Sequence, residues 1–364
     1  MTADNFPGPV VLFGSGETSP AGKKIFDHAL EQITAAGPLS GPLNVALLET
    51  PAGFELNSSQ VIQRVADFLQ VRLQNYRPMT NIVPARRKGS EYSPDDPDIT
   101  QPLLNADMIF MGPGSPTYAV RQLQGSLAWQ RMIASHRLGA TLALASAATV
   151  AISSCCLPVY EIYKVGEDVH WKAGLDLFAL FGISLVFIPH WNNQDGGEEL
   201  DTSRCFMGKS RFQQLLEMLP PGNTVIGIDE KSALIFDFHS CQARVMGLGG
   251  VTVIQGPPNS SQTGKVYQSG QSFDLGDIGD FHLPEGPVDI APEIWQETLE
   301  ARSETGDPVA AEPPPAVHDL VAQREAARQR KDWQLADELR AEIQKSGWNI
   351  KDTPGGPILE DADR

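Results

Sequence analysis

Along the first part of the chain, short runs that are apolar at every position alternate with longer segments whose apolar residues recur at helical spacing. VVLFG (Val10 to Gly14), NVALLET (Asn44 to Thr50), DMIFMG (Asp107 to Gly112), TLALAS (Thr141 to Ser146) and SLVFIPH (Ser184 to His190) have strand length. Unbroken apolar character is what parallel strands need when both faces of the sheet are covered. Between them the pattern predicts helices over Ala21 to Ala36, Ser58 to Gln70, Thr117 to Leu123 and Leu127 to Arg137, with another over Ser210 to Leu219. That order implies an α/β fold, a three-layer sandwich around a mostly parallel sheet. TVIGIDE, SALIFDF and ARVMGLGGVTVIQG then read as strands joined by tight turns, so antiparallel strands are expected at the end of the sheet.

The pattern changes near Gln255. From Pro257 to Glu312 the chain is rich in Gly, Pro, Ser, Asp and Glu, and its acids heavily outnumber Lys265 and Arg302. Such composition predicts a linker, closed by the stiff run Pro313 to Pro315 and holding at most a short helix over Pro292 to Arg302. Apolar periodicity returns around Leu320 and Ala327. Asp332 then caps a helix carrying Leu335, Leu339 and Ile343, which Gly347 closes before an extended hook. The expected organisation is therefore an α/β domain over 1–256, a linker over 257–315 and a helical-hairpin tail over 316–364.

Bulk properties narrow the function. The 364 residues, 41% of them hydrophobic, suffice for a full core and an appendage. A net charge of −17 argues against general nucleic-acid binding and against docking on anionic membranes. Cys155, Cys156, Cys205 and Cys241 lack C-x-x-C spacing, so neither a disulfide framework nor a zinc site is implied. Apolar runs fall short of a membrane span, and the N-terminus lacks a basic segment followed by an apolar one. A cytoplasmic location is expected.

Candidate chemistry gathers where the parallel strands end, the edge on which open α/β sheets bind ligands. Ser146 stands at a strand-to-helix corner among Ala145, Ala147 and Ala148, small neighbours of the kind a nucleophile elbow requires. The alternative is a serine that merely caps the next helix. His190 ends another apolar strand and is the candidate base, with Glu230, or Asp229 beside it, as the orienting acid. The GPGSPT loop, through Gly112 and Gly114, and Ala147 after the corner could offer N–H groups to an oxyanion; Pro113 has none to offer. Glu17 in GSGETSPAG, Arg204 and Arg211 are candidate substrate-binding residues. Val159 to Trp171, with Glu161, Lys164 and His170 among aromatics, is either a recognition loop or ordinary surface. A metal site from His170, His190 and Cys205 has no supporting spacing, so no metal and no cofactor is expected.

GSGE, GPGS, LASAAT, IPHW and GIDE, in that order, carry a resemblance over roughly Val10 to Gln255. They resemble the first loop, glycine-rich loop, elbow, histidine strand end and acidic turn of the cyanophycinase and α-aspartyl dipeptidase serine peptidases. Those share the class I glutamine amidotransferase-like fold. The resemblance implies Ser146 as nucleophile, His190 as base and Glu230 as orienting acid, with Gly112 and Gly114 lining the oxyanion loop. It departs from the family pattern at Leu144, Ala148, Pro113 and Ile188. The tail, Leu320 to Glu360, is similar to the C-terminal end of cysteinyl-tRNA synthetases, through R-x-x-A-R-x-x-K-D-W-x-x-A-D-x-L-R and K-D-T-P-x-G-P. No HIGH-type motif accompanies it, so a competent synthetase is not expected.

The leading expectation is a serine hydrolase, a peptidase or amidase, acting on a small-molecule or peptide substrate. The alternatives are a catalytically degenerate amidotransferase-like binding protein and a translation accessory whose tail contacts tRNA or a partner protein. No membrane partner is expected, and homodimerisation is an expectation from the fold by analogy alone.

Overall fold

Strands buried on both faces organise the molecule. A computed structural model describes residues 6–35, 41–256, 264–305, 315–330, 332–353 and 356–361. In chain order come β1 (Val10–Phe13), α1 (Pro20–Ala35), β2 (Asn44–Leu48), α2 (Ser58–Arg72), β3 (Met79–Val83) and α3 (Pro97–Thr100). They are followed by β4 (Met108–Met111), α4 (Pro116–Leu123), α5 (Leu127–Arg137), β5 (Thr141–Ala145) and α6 (Ala147–Ala151). A small ribbon, β6 (Cys155–Cys156) with β7 (Lys172–Ala173), precedes β8 (Leu185–Ile188), α7 (Gly208–Met218) and β9 (Thr224–Ile228). Next are β10 (Ser232–Asp237), β11 (Gln242–Gly247), β12 (Gly250–Ile254), β13 (Lys265–Gln268), β14 (Ser272–Asp274) and α8 (Pro292–Thr305).

The main sheet has the order β14-β11-β10-β1-β5-β4-β2-β3. From β3 to β1 all neighbours are parallel; β10, β11 and β14 continue antiparallel from β1. The fold is thus α/β around a mainly parallel sheet, as the apolar runs imply. Val11, Phe13, Ala143 and Ala145 pack with Ile25 and Phe26 of α1. Val10, Leu12, Leu142 and Leu144 point the other way, into a cluster with Met132 of α5 and Phe187 of β8. Burying each large apolar side chain contributes roughly 1.5–3 kcal/mol. That double coverage is why these strands lack polar alternation.

One strand expectation changes. SLVFIPH does not extend the main sheet; as β8 it lies in a second sheet of order β13-β12-β9-β8. Parallel β8 and β9 place Ile188 opposite Gly227, so the segments after them leave at one edge. Gly14 ties this edge to the main sheet: its N–H donates to the Ser232 carbonyl (2.9 Å) and its carbonyl accepts from the His190 N–H (3.1 Å). A Cβ at position 14 would fall 2.2 Å from the Asp229 carbonyl oxygen, an approach only glycine permits.

The expected linker over 257–315 is corrected by β13, β14 and the packing of α8, a helix that stands where one was expected over Pro292 to Arg302. Leu275, Ile278, Ile290 and Ile294 are buried in the main core. Arg131 Nη2 pairs with Glu297 Oε1 at 2.6 Å, and Arg302 Nη1 donates to the Ala106 carbonyl at 2.8 Å. Sparse large apolar residues decide the outcome over the acidic average. The chain divides into compact units Met1–Ser303 and Glu304–Arg364. Residues 257–263 and 306–314, including Pro313 and Pro314 of the expected stiff run, lie outside the described residues, and Pro315 opens a helix.

The second unit consists of α9 (Pro315–Gln329), α10 (Trp333–Lys345), β15 (Trp348–Thr353) and β16 (Gly356–Asp361). Asp332 caps α10, its carboxylate accepting from the Leu335 N–H at 3.2 Å. The expected hook is an antiparallel hairpin, with Ile350 opposite Leu359. Val317, Ile343, Trp348 and Ile350 form the unit's own core. Among the described residues no helix is long and apolar enough to cross a membrane.

Candidate active site

Three strand ends meet at the edge marked by Gly14. Ser146, between β5 and α6, has φ 53° and ψ −110°, a left-handed conformation that costs a non-glycine residue energy. It makes no cap hydrogen bond to α6. Its Oγ instead lies 3.0 Å from His190 Nε2. Thr149 holds the corner in place by donating to the carbonyls of Phe13 (3.1 Å) and Leu144 (2.9 Å). Ala148 is fully buried against the core.

His190 also has a positive φ, 52°, where the chain turns out of β8. Its N–H is held by Gly14, and its carbonyl accepts from the N–H groups of Asn193 and Cys205, both at 3.2 Å. The ring Nδ1 lies 3.0 Å from Glu230 Oε1. That same oxygen accepts from Asn193 Nδ2 at 2.9 Å, and the Glu230 N–H donates to Asn192 Oδ1 at 2.8 Å. Asn193 is only 2% exposed, so its amide is committed to this network. Asp229, the other candidate acid, turns to the Gly250 N–H at 2.8 Å. Burial raises the Asp229 pKa against that bond and the Arg204 charge.

Of the glycine loop, Gly114 reaches the site and Gly112 does not. Gly114 lines the cavity beside Ser146, with φ 145° and a virtual Cβ 2.0 Å from the Pro51 carbonyl oxygen. Ser115 donates to that same carbonyl at 2.8 Å, anchoring the loop. Gly112 sits under the Phe110 ring, where a Cβ would come within 2.9 Å of it, a packing role. The N–H groups of Gly114 and Ala147 have no acceptor among the described residues.

The expected substrate-binding residues are placed differently. Arg204 lies over the Trp191 ring (3.7 Å to its centroid) and donates to the Trp191 carbonyl at 2.8 Å. Arg211 donates to the carbonyls of Met207 (2.9 Å) and Phe206 (3.2 Å). Both guanidiniums thus serve the fold around α7, and neither lines the cavity. Glu17 is half-buried and outside the cavity lining. Burial raises its pKa, opposed by backbone hydrogen bonds and by His190.

The cavity holds about 340 Å³. Val159, Tyr160, Tyr163 and Lys164 wall it, so the aromatic loop after Val159 belongs to the site. Glu161 faces away, accepting from Thr117 Oγ1 at 2.6 Å and Lys172 Nζ at 3.3 Å. Burial pushes its carboxyl pKa upward, but these bonds outweigh it and the net shift is down. Cys205 completes the lining; burial, with Glu230 nearby, pushes its thiol up to about 12, so it is a neutral contact at pH 7.

Chemically, an imidazole nitrogen faces a strained serine hydroxyl, a carboxylate lies against the opposite ring nitrogen, and N–H groups without an acceptor among the described residues border the same space. Asn192 and Asn193 carried no sequence signal beyond their place just after His190.

Comparison with known proteins separates the two units. Residues 310–356 match the family model of the cysteinyl-tRNA ligase anticodon binding domain. A cysteine–tRNA ligase of Rubrobacter xylanophilus is 50% identical over 50 residues, 14% of this chain and 11% of that ligase. One of Burkholderia lata is 42% identical over 52 residues, again 14% of this chain and 11% of the ligase. This chain thus spans about a tenth of the length of these relatives. Among solved structures, a peptidase from an acI-B1 actinobacterium is similar with a TM-score of 0.58 at 21% identity, covering 74% of this chain and 98% of that one. At that identity the likeness is one of fold.

Proposed function

We propose that the first unit is a serine hydrolase that cleaves a peptide-like amide. The observation that carries this is the hydrogen-bonded series Ser146 Oγ, His190 and Glu230, with both links at 3.0 Å. Glu230 accepts from Nδ1–H, which leaves Nε2 free to take the serine proton. Ser146 Oγ then bonds to the substrate carbonyl carbon while the oxyanion rests on the Gly114 and Ala147 N–H groups. His190 returns the proton to the amide nitrogen as the C–N bond breaks. A water molecule, activated by the same imidazole, hydrolyses the acyl-serine and restores the hydroxyl.

A fluorophosphonate probe is expected to label the wild-type chain and to leave Ser146→Ala unlabelled at equal thermal stability. An unlabelled but folded wild type would leave a binding protein without catalysis. The match of residues 310–356 to an anticodon binding domain favours a second reading, for the second unit: contact with tRNA. In that unit Arg340, Gln344 and Asn349 border a cavity of about 310 Å³, an exposed surface that joins a cationic group to amide donors.

A further inference from the structure

The walls of the cavity beside Ser146 say more about the substrate than the catalytic series does. Val150, Val159, Tyr160, Tyr163 and Phe206 form them, and Gly114 and Ala147 line the same space with Ser146. In the serine-hydrolase reading, a carbonyl whose oxygen rests on those N–H groups would have this space open to its own substituent. Phe206 joins the parts: its ring centroid is 5.8 Å from that of His190 and 5.3 Å from that of Tyr163.

Lysine and carboxylate charge in the cavity lining stands on exposed residues. Arg204 and Arg211 are held by backbone carbonyls. The charged side chains in the lining are Lys164 and Asp195, both on exposed residues, and Lys164 Nζ rests 4.9 Å from the Tyr163 ring centroid. A carboxylate or guanidinium driven into the interior would lose its hydration without a buried partner of opposite charge. An aromatic ring would exchange water for contact with tyrosine and phenylalanine faces at favourable geometry.

Resting on the serine-hydrolase reading, we propose that this cavity selects amides whose acyl-side residue is large and apolar, an aromatic one above all. Lys164 and Asp195 then meet polar groups of the substrate at the rim.

The test measures kcat/KM for a panel of N-capped coumarin amides differing only in the acyl residue (Phe, Leu, Ala, Asp, Arg), beside fluorophosphonate labelling of the same preparation. Phe is expected to exceed Ala, Asp and Arg by about tenfold to a hundredfold, the worth of burying one such side chain. Tyr163→Ala should shrink the Phe-to-Ala ratio several-fold, and its labelling reports that the variant is folded. Full labelling with Asp or Arg preferred, with equal rates across the panel, or with no cleavage of the aromatic member overturns the proposal and leaves the hydrolase reading standing. No labelling and no cleavage of any member overturns both.

Discussion

The Glu230 carboxylate stands between two donors, the His190 ring and the Asn193 amide, on a single oxygen. Replacing it with glutamine keeps the shape but can present an amide N–H to Nδ1 and hold the imidazole in the wrong tautomer. Glu230→Gln is therefore expected to lower kcat about a hundredfold to ten-thousandfold with KM little changed, measured on the best amide of the panel. Asn193→Ala removes one donor and keeps the acid, so a loss nearer tenfold is expected. A second residue-scale effect concerns stability. His136 is fully buried against Phe181 and Phe238, with Nδ1 3.3 Å from the Ala140 carbonyl and no hydrogen-bond partner for Nε2 among the described residues. Burial lowers its pKa from 6.5 to about 4. Between those values the unfolded chain binds a proton that the folded chain refuses. The contribution is thus complete above pH 6.5 and is lost as pH falls toward about 4, amounting to about 3 kcal/mol. Urea denaturation across this range should show His136→Phe with a shallower pH dependence than wild type; equal slopes would refute the assignment.

At the scale of elements, α8 marks where sequence averages fail. Its segment reads as a linker because Asp, Glu, Pro and Gly dominate, yet Ile290 and Ile294 are buried in the main core. Ile294→Ala should cost about 2–4 kcal/mol in chemical denaturation, the range for emptying a core position, whereas a linker position would cost almost nothing. The parallel strands were legible because burial on both faces leaves an unbroken apolar run, as in Val10–Phe13. β3 was not: at the sheet edge Met79 and Asn81 are exposed, and the apolar signal is diluted. The same logic divides the site. Ser146, His190 and Glu230 could be picked out because each follows a strong strand and is of a reactive type. Asn193 could not, since a buried asparagine in a loop looks like any other until its partner is known. Arg204 and Arg211 misled for the opposite reason: arginine near a strand end serves a ligand or a backbone carbonyl equally well, and only geometry separates the two.

For the whole molecule, the division at Ser303 places all the candidate hydrolytic residues in one unit and the synthetase-like segment in the other. The first unit buries its own core and the second has a separate one. Deleting residues 306–364 is therefore expected to leave fluorophosphonate labelling of Ser146 and amide hydrolysis within about twofold of the full chain. If the second unit contacts tRNA, the full chain should bind it with an affinity that falls about tenfold between 50 and 200 mM salt, as about two phosphate contacts require. The truncated chain should then show no binding under the same conditions. A net charge of −17 makes this a demanding test, because the chain as a whole repels polyanions and any binding must come from a local surface. Equal tRNA binding with and without residues 306–364 would remove the second unit from consideration. Binding absent from both chains would overturn the tRNA reading of the second unit, whatever its likeness to the ligase segment.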